Sequence, residues 1–282
     1  MPSITSLQVH PEGLIHREKP LTALVVGEAL IDEYPGERVV AGAPLHVAAH
    51  LAARGWRATL LTRVGNDGDG RRIVDTARDL GIDTSLIEVD PSLPTGTSAI
   101  TLTASGHDFD VRAPAAWDAL VGPKVVPPHD ALIFGTLPLR HPTSAATIRR
   151  LVSGSKGLVA VDANLRPPHS TPEMITWVLQ VARLLKMNEE EARMIGETPP
   201  GPEWVSITRG GDGASLRNRD GRTWSVEGIA TTVVDTVGAG DAFFATLIDG
   251  LGTGSDPREI LAQANRTASE VVSRRGGLPE SR

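Results

Sequence analysis

The stretch DTVGAGDAFFATLIDG, residues 235–250, decides the reading of this chain. An apolar run rich in β-branched residues, IATTVV at 229–234, precedes it and predicts a β-strand. Apolar residues at helical spacing over 242–251 predict a helix after it. Between the two, Gly238, Ala239 and Gly240 remove the side-chain bulk that would hold a ligand away from the backbone amides. A strand, a glycine turn and a helix N-terminus together form an anion site, because unpaired N–H groups and the helix dipole both face the turn. Asp241 stands beside that turn, where a bound anion repels it unless its task is to take a proton from a group attacking the anion. Phosphoryl transfer asks for this pairing: amides for the charge on the phosphoryl group, and a base for the incoming hydroxyl. The plain alternatives are a tight strand-to-helix turn and a first-turn acid that serves the helix alone.

The rest of the chain is compatible with such an enzyme. Its 282 residues are 40% hydrophobic and 22% charged, the composition of a folded chain with a sizeable core. A net charge of −6 argues against a nucleic-acid or anionic-membrane partner. No apolar run approaches the roughly 20 residues of a membrane span. Residues 1–20 read as a polar lead-in without the basic start and apolar stretch of a signal peptide. Cysteine is absent, so disulfides and thiol chemistry are excluded, and a cytoplasmic location is the expectation.

Along the chain, strand patterns alternate with helix patterns. Strands are expected at 21–27, 58–64, 131–134, 158–161, 184–187 and 205–208, and helices at 44–54, 70–80, 144–152, 172–183 and 189–195. Such alternation predicts a parallel sheet covered by helices on both faces. Two pieces break the rhythm: a hairpin pattern at 97–112 around Ser105-Gly106, and a short strand pair at 31–40. Both are expected to form a small β lid on a single domain spanning 21–282, and the hairpin is also a candidate dimer surface.

The 235–241 string resembles the C-terminal signature of the PfkB (ribokinase-like) carbohydrate kinases, D-T-x-G-A-G-D, matched at Asp235, Thr236, Gly238, Ala239, Gly240 and Asp241. The resemblance runs over residues 21–279. It implies a ribokinase-like fold, a three-layer α/β/α sandwich with a mostly parallel central sheet and a small β lid. It further implies ATP and Mg²⁺ as partners of the reaction, a sugar or polyol acceptor, and Asp241 as general base with the 237–241 amides as anion hole. GEALID (27–32) and AGAP (41–44) look like the sugar-receiving segment of the fructokinase-like branch, so Asp32, Gly42, Ala43 and His46 become substrate-binding candidates. The family's first glycine is Ala41 here and its asparagine is His46. His46 either replaces the amide's hydrogen bonds or is a buried helix-start residue.

Further matches follow the same resemblance. DANLRPP (162–168) is similar to a D-x-N-x-R element that faces the cleft; Arg166 meets phosphate oxygens or makes a structural ion pair. Asn188 and Glu191 match N-x-x-E, which implies a place for Asn188 at the nucleotide and for Glu191 at Mg²⁺ through water. TRGGDGA (208–214) resembles the nucleotide loop, with Thr208, Gly210, Gly211 and Gly213 as contacts, or else is a simple hairpin turn. Ala264, Asn265 and Ala268 are candidates for the adenine pocket. Asp235 and Thr236 match residues that lie beside a monovalent-cation site in related kinases, which makes K⁺ a candidate ion; the alternative is that Asp235 caps the turn.

Several motifs are excluded. TRVGNDGDG (62–70) is no calcium loop, since counting from Asp67 puts Arg71 and Arg78 at ligand positions. No G-x-x-x-x-G-K-[ST] loop, no G-x-G-x-x-G after the first strand and no Cys/His metal spacing occurs. The expected activity is ATP-dependent phosphorylation of a sugar hydroxyl. Its alternatives are a nucleoside or vitamin-alcohol kinase of the same fold, or a sugar- or nucleotide-sensing protein without turnover.

Overall fold

The structure, a computed structural model, describes residues 19–103, 106–196 and 201–279. Residues 1–18 of the expected lead-in and Ser105 of the expected hairpin turn lie outside the described residues. The chain runs β1 (Thr22–Val26), β2 (Leu30–Tyr34), β3 (Glu37–Ala41), α1 (Ala43–Ala53), β4 (Arg57–Gly65), α2 (Gly68–Asp79), β5 (Ile87–Asp90), β6 (Gly96–Thr103), β7 (Gly106–Val111) and β8 (Ala131–Gly135). It continues through α3 (Pro142–Gly154), β9 (Leu158–Asp162), α4 (Pro172–Val181), β10 (Leu184–Asn188), α5 (Glu189–Ile195), β11 (Trp204–Thr208), β12 (Ala214–Asn218), β13 (Thr223–Val226), α6 (Ala239–Thr253) and α7 (Pro257–Val272).

β1 shows why the layers form. Ala23 and Val25 go to one face of the sheet, Leu24 and Val26 to the other, and all four are buried. On the first face they meet Leu45 and Leu51 of α1, Ile73 of α2, Phe244 of α6 and Ile260 of α7. On the second they meet Ile148 of α3 and Val178 of α4. Nine strands lie in the order β13-β12-β11-β10-β9-β8-β1-β4-β5, and β12 alone runs antiparallel to its neighbours. This is the expected α/β/α sandwich. Helix starts are set locally: Asp67 accepts the Gly70 amide at 2.8 Å, and Asn188 and Glu191 form a reciprocal capping box.

The two pieces that broke the rhythm join into one four-stranded sheet, β3-β2-β6-β7, in which β2 and β6 pair in parallel. Two expectations are corrected. The run 229–234 is not a strand: the sheet ends at β13, and Ile229, Val233 and Val234 are exposed. The chain leaves the sheet at Gly228, which packs so closely on Gly211 that a side chain there would strike its carbonyl. Its apolar residues then line a pocket rather than a sheet face. The helix expected from residue 242 begins at Ala239, so Asp241 lies inside its first turn.

Candidate active site

The carboxyl ends of β1, β8, β9, β10 and β11 open on one side of the sheet, where β1 lies between strands from two stretches of the chain and connections leave in opposite directions. A cleft of about 590 Å³ occupies this edge. Asp32, Gly42, Ala43 and His46 line it together with Asn164, Arg166, Asn188, Glu191, Thr208, Gly210, Gly238, Gly240 and Asp241. The small sheet roofs one end through Asp32 on β2, Ser98 on β6 and Val111 on β7. Gly42 is required by packing: its φ is +124°, and a Cβ there would lie 2.6 Å from the Glu28 carbonyl.

At the centre stands the start of α6. Gly238 adopts φ +78° and no side chain caps the helix. Asp241, in the first turn, is held by His46 of α1, whose Nδ1 is 2.8 Å from Asp241 Oδ2. A carboxylate oxygen only accepts, so Nδ1 carries the proton. His46 is buried and pressed from behind by the chain after α7: a Cβ on Gly277 would come within 2.8 Å of Nδ1 and of Cε1. His50, one helical turn on, donates from Nε2 to the Gly277 carbonyl at 2.9 Å. Asp235 fastens the same pieces, accepting the Val237 amide on Oδ1 and the Gly276 amide on Oδ2, both at 3.0 Å. The anion hole is therefore smaller than expected. Val237's amide is turned onto Asp235 and Ala239's onto the Thr236 carbonyl, which leaves the Gly238, Gly240 and Asp241 amides at the helix start.

Beside this turn, a second pocket of about 340 Å³ is lined by Thr208, Gly210, Gly211, Gly213, Gly240, Asn265 and Ala268, with Ile229 and Val233 supplying an apolar wall. Gly210 and Gly211 have open space where a Cβ would stand, as a cradle for a bulky ligand demands. The 209–213 loop is the turn of the β11–β12 hairpin, and its glycines line this second pocket. Ala264 is fully buried in the core and does not line the pocket. Asn265 lines it, yet its Nδ2 donates to the Glu227 carbonyl at 2.7 Å and pins the pocket wall.

Charge in the cleft is managed group by group. Lys186, unassigned by sequence reasoning, reaches from β10 to Asp162, with Nζ at 2.9 and 3.1 Å from its two oxygens. A Cβ on Gly240 would lie 3.0 Å from that ammonium, so the cation sits against the anion turn. Burial alone favours the neutral amine, but Asp162, Glu191 and Asp241 outweigh it and raise the pKa of Lys186. The sequence signal for it was a lysine inside the otherwise apolar strand LLKMN. Glu191 spends both carboxylate oxygens on backbone amides, of Leu165 and of Asn188, each at 2.7 Å. Among the described residues no group of three His, Cys, Asp or Glu is placed to hold a metal ion by itself. Arg166 makes no ion pair among the described residues; it lies over Phe109 and donates to the Leu165 carbonyl. Asp32 is buried, and desolvation pushes its carboxyl up to about 6, with Asp235 and Asp241 adding and His46 opposing. Glu28, a second residue that sequence reasoning left out, is pushed up to about 7 by burial.

Comparison with known proteins agrees with this geometry. The model of the pfkB family of carbohydrate kinases matches residues 35–281. The fructokinase of Escherichia coli is 28% identical over an alignment covering 90% of this chain and 94% of that protein. An uncharacterized sugar kinase from Pyrococcus horikoshii, solved in complex with ATP, superposes with a TM-score of 0.81 at 26% identity, covering 91% of this chain and 94% of that one. A fructokinase double mutant from Vibrio cholerae with bound fructose, ADP and potassium ion superposes with a TM-score of 0.82 at 23% identity, covering 93% and 96%.

Proposed function

Because the chain belongs to the pfkB family of carbohydrate kinases, we propose that it transfers the γ-phosphoryl group of ATP to a hydroxyl of a fructose-like sugar or related polyol. The observation that carries this reading is the position of Asp241. It stands between an end lined by Asp32, His46 and the lid and an end lined by Thr208 and the glycine loop, with Lys186 beside its helix turn.

In this reading His46 holds Oδ2 of Asp241 and leaves Oδ1 for the acceptor hydroxyl. Asp241 takes the hydroxyl proton as that oxygen bonds to the γ-phosphorus and the bond to the β-phosphate oxygen breaks. The amides of Gly240 and Asp241 and the Lys186 ammonium meet the charge that develops on the phosphoryl oxygens. Mg²⁺ bound with the nucleotide supplies neutralisation of its phosphates. Asn188 and Glu191 would hold such an ion through its waters, which suits a carboxylate already engaged by two amides and an ion reluctant to shed its shell. Thr208, Gly210, Gly211 and Gly213 take the nucleotide. Asp235 and Thr236 remain candidates for a K⁺ ion of the kind bound by the Vibrio cholerae fructokinase, in addition to the capping contacts of Asp235.

An acceptor panel of sugars, a nucleoside and a vitamin alcohol with ATP and Mg²⁺ tests this function, with ADP release as readout. Asp241→Asn is expected to lower kcat by about 10² to 10⁴-fold with little change in nucleotide affinity. Near-wild-type turnover by that variant removes Asp241 from the chemistry. Ligand-induced stabilisation without ADP release across the panel favours a sensing protein instead.

A further inference from the structure

Two polar atoms in the cleft have no use in the scheme above. Glu28 lies on the chain between β1 and β2, is 2% exposed and lines the cleft, and its Oε2 has no hydrogen-bond partner among the described residues. Ser98 is 1% exposed, lines the same cleft from β6, and its Oγ is likewise unpaired. Ser98 stands opposite Asp32 in the β2–β6 register, so both lie at the end covered by the lid. Buried polar atoms are almost always paired, and an unpaired one at a ligand cleft is best explained by a partner that arrives with the ligand.

We propose that Glu28 is a substrate-contacting residue of the acceptor subsite, its carboxyl donating one hydrogen bond and accepting another from an uncharged polyol, with Ser98 completing the contact. The inference rests on the reading of this cleft as a phosphoryl-acceptor site. The groups that face Glu28 favour the neutral carboxyl. Desolvation is the largest influence and raises it to about 7; a bond from its own backbone amide lowers it, Asp241 of α6 raises it, and Arg166 and Arg140 lower it. Arg140 is already committed to Asp118, at 2.8 and 2.9 Å. A neutral carboxyl offers an O–H and a carbonyl oxygen, matching the donor and acceptor that a hydroxyl presents. An acceptor carrying a phosphate or carboxylate against this wall would instead meet the carboxylates of Asp32 and Asp241, a repulsion that selects for uncharged polyols.

The test compares wild type, Glu28→Gln, Glu28→Ala and Ser98→Ala, with D-fructose, D-ribose and inosine as acceptors, following ADP release and thermal unfolding. Glu28→Ala is expected to raise acceptor KM about ten- to hundredfold with ATP KM unchanged and no loss of melting temperature, since no partner is left unpaired. Glu28→Gln, which keeps a donor and an acceptor but cannot titrate, raises it less. It also abolishes a fall in acceptor kcat/KM that wild type shows as pH rises through about 7. Wild-type turnover with acceptor KM unmoved in Glu28→Ala overturns the inference and leaves the kinase reading standing. A lowered melting temperature with unmoved KM assigns Glu28 to the fold instead. Absence of wild-type turnover on every acceptor overturns the kinase reading itself, and the inference with it.

Discussion

Gly277→Ala tests whether the chain after α7 holds the catalytic turn in place. A Cβ at residue 277 would lie 2.6 Å from the Gly238 Cα and 2.8 Å from Nδ1 and Cε1 of His46. Gly238 is backbone at the start of α6, and His46 is locked between Asp241 and the Gly277 segment, so neither can swing aside cheaply. Reaching an ordinary contact of about 3.4 Å requires the turn to move by roughly 0.8 Å and the imidazole by roughly 0.6 Å. Both motions displace Asp241 relative to the acceptor, and a misplacement near 1 Å costs about a hundredfold in rate. Overpacking adds about 1–3 kcal/mol of destabilisation, a fall of several degrees in melting temperature for a chain of this size. The assay is ADP release at saturating ATP and acceptor, with unfolding followed by far-ultraviolet circular dichroism. Gly68→Ala serves as the control, because its nearest neighbour is the flexible end of Arg71 at 4.0 Å. The expected result is kcat down by about two orders of magnitude in Gly277→Ala, ATP KM little changed, and Gly68→Ala like wild type. A folded Gly277→Ala protein with kcat within twofold of wild type would refute the reasoning, even if its melting temperature fell.

Lys186→Met is expected to lower kcat by about 10²-fold, and to destabilise by about 3–5 kcal/mol because Asp162 is left buried and unpaired. Adding Asp162→Asn should restore the melting temperature but not kcat, and recovery of both would make the lysine purely structural. His50 is buried and its pKa falls to about 4, desolvation being the main cause, against about 6.5 in the unfolded chain. The unfolded state therefore binds the extra proton between these values. The contribution of His50 to stability, at most about 3 kcal/mol, is intact above pH 6.5 and lost as pH falls toward 4. Denaturant unfolding of wild type and His50→Gln should show a stability difference that grows from pH 4.5 to 6.5 and is flat above; a constant difference contradicts it. Matched K⁺ and Na⁺ buffers should give modestly higher rates in K⁺, and identical rates leave Asp235 as a turn cap alone.

What could be read from the sequence was local. Gly238, Gly240 and Asp241 announce a glycine turn into a helix within seven residues, and the strand-end positions of Asn188 and Thr208 follow from alternation of short elements, whereas Asp32 falls in the middle of β2 in the small sheet. The start of α6 was placed three residues late because glycine and alanine before Asp241 read as turn, although Gly238 in the left-handed region already launches the helix. The 229–234 run was misread because a nucleotide-sized apolar pocket and a sheet face select the same β-branched residues; only the partner tells them apart. Non-local pairings left no local mark. The β2–β6 parallel register, the seat of Gly277 on His46 and the reach of Lys186 to Asp162 join residues 24 to 231 positions apart or more than sixty along a lid. Ala264 was misassigned because helical spacing near a pocket does not say which side faces it.

In the proposed reading the cleft has to receive a polyanion although Glu28, Asp32, Asp162, Glu191 and Asp241 all line it. Four of the five acids are answered within their own contacts: Asp162 by Lys186, Glu191 by two amides, Asp241 by the Nδ1–H of His46, and Glu28 by holding its proton until pH rises through about 7. Arg166, without an ion pair among the described residues, and the start of α6 add positive charge to the same cleft. Asp32, raised to only about 6, keeps the end under the small sheet negative at neutral pH. Among the described residues no cluster of three acids or histidines stands ready to hold a metal ion. A histidine at position 46 donates to Asp241 while its neighbour one turn on, His50, ties the same helix to the segment that carries Gly277.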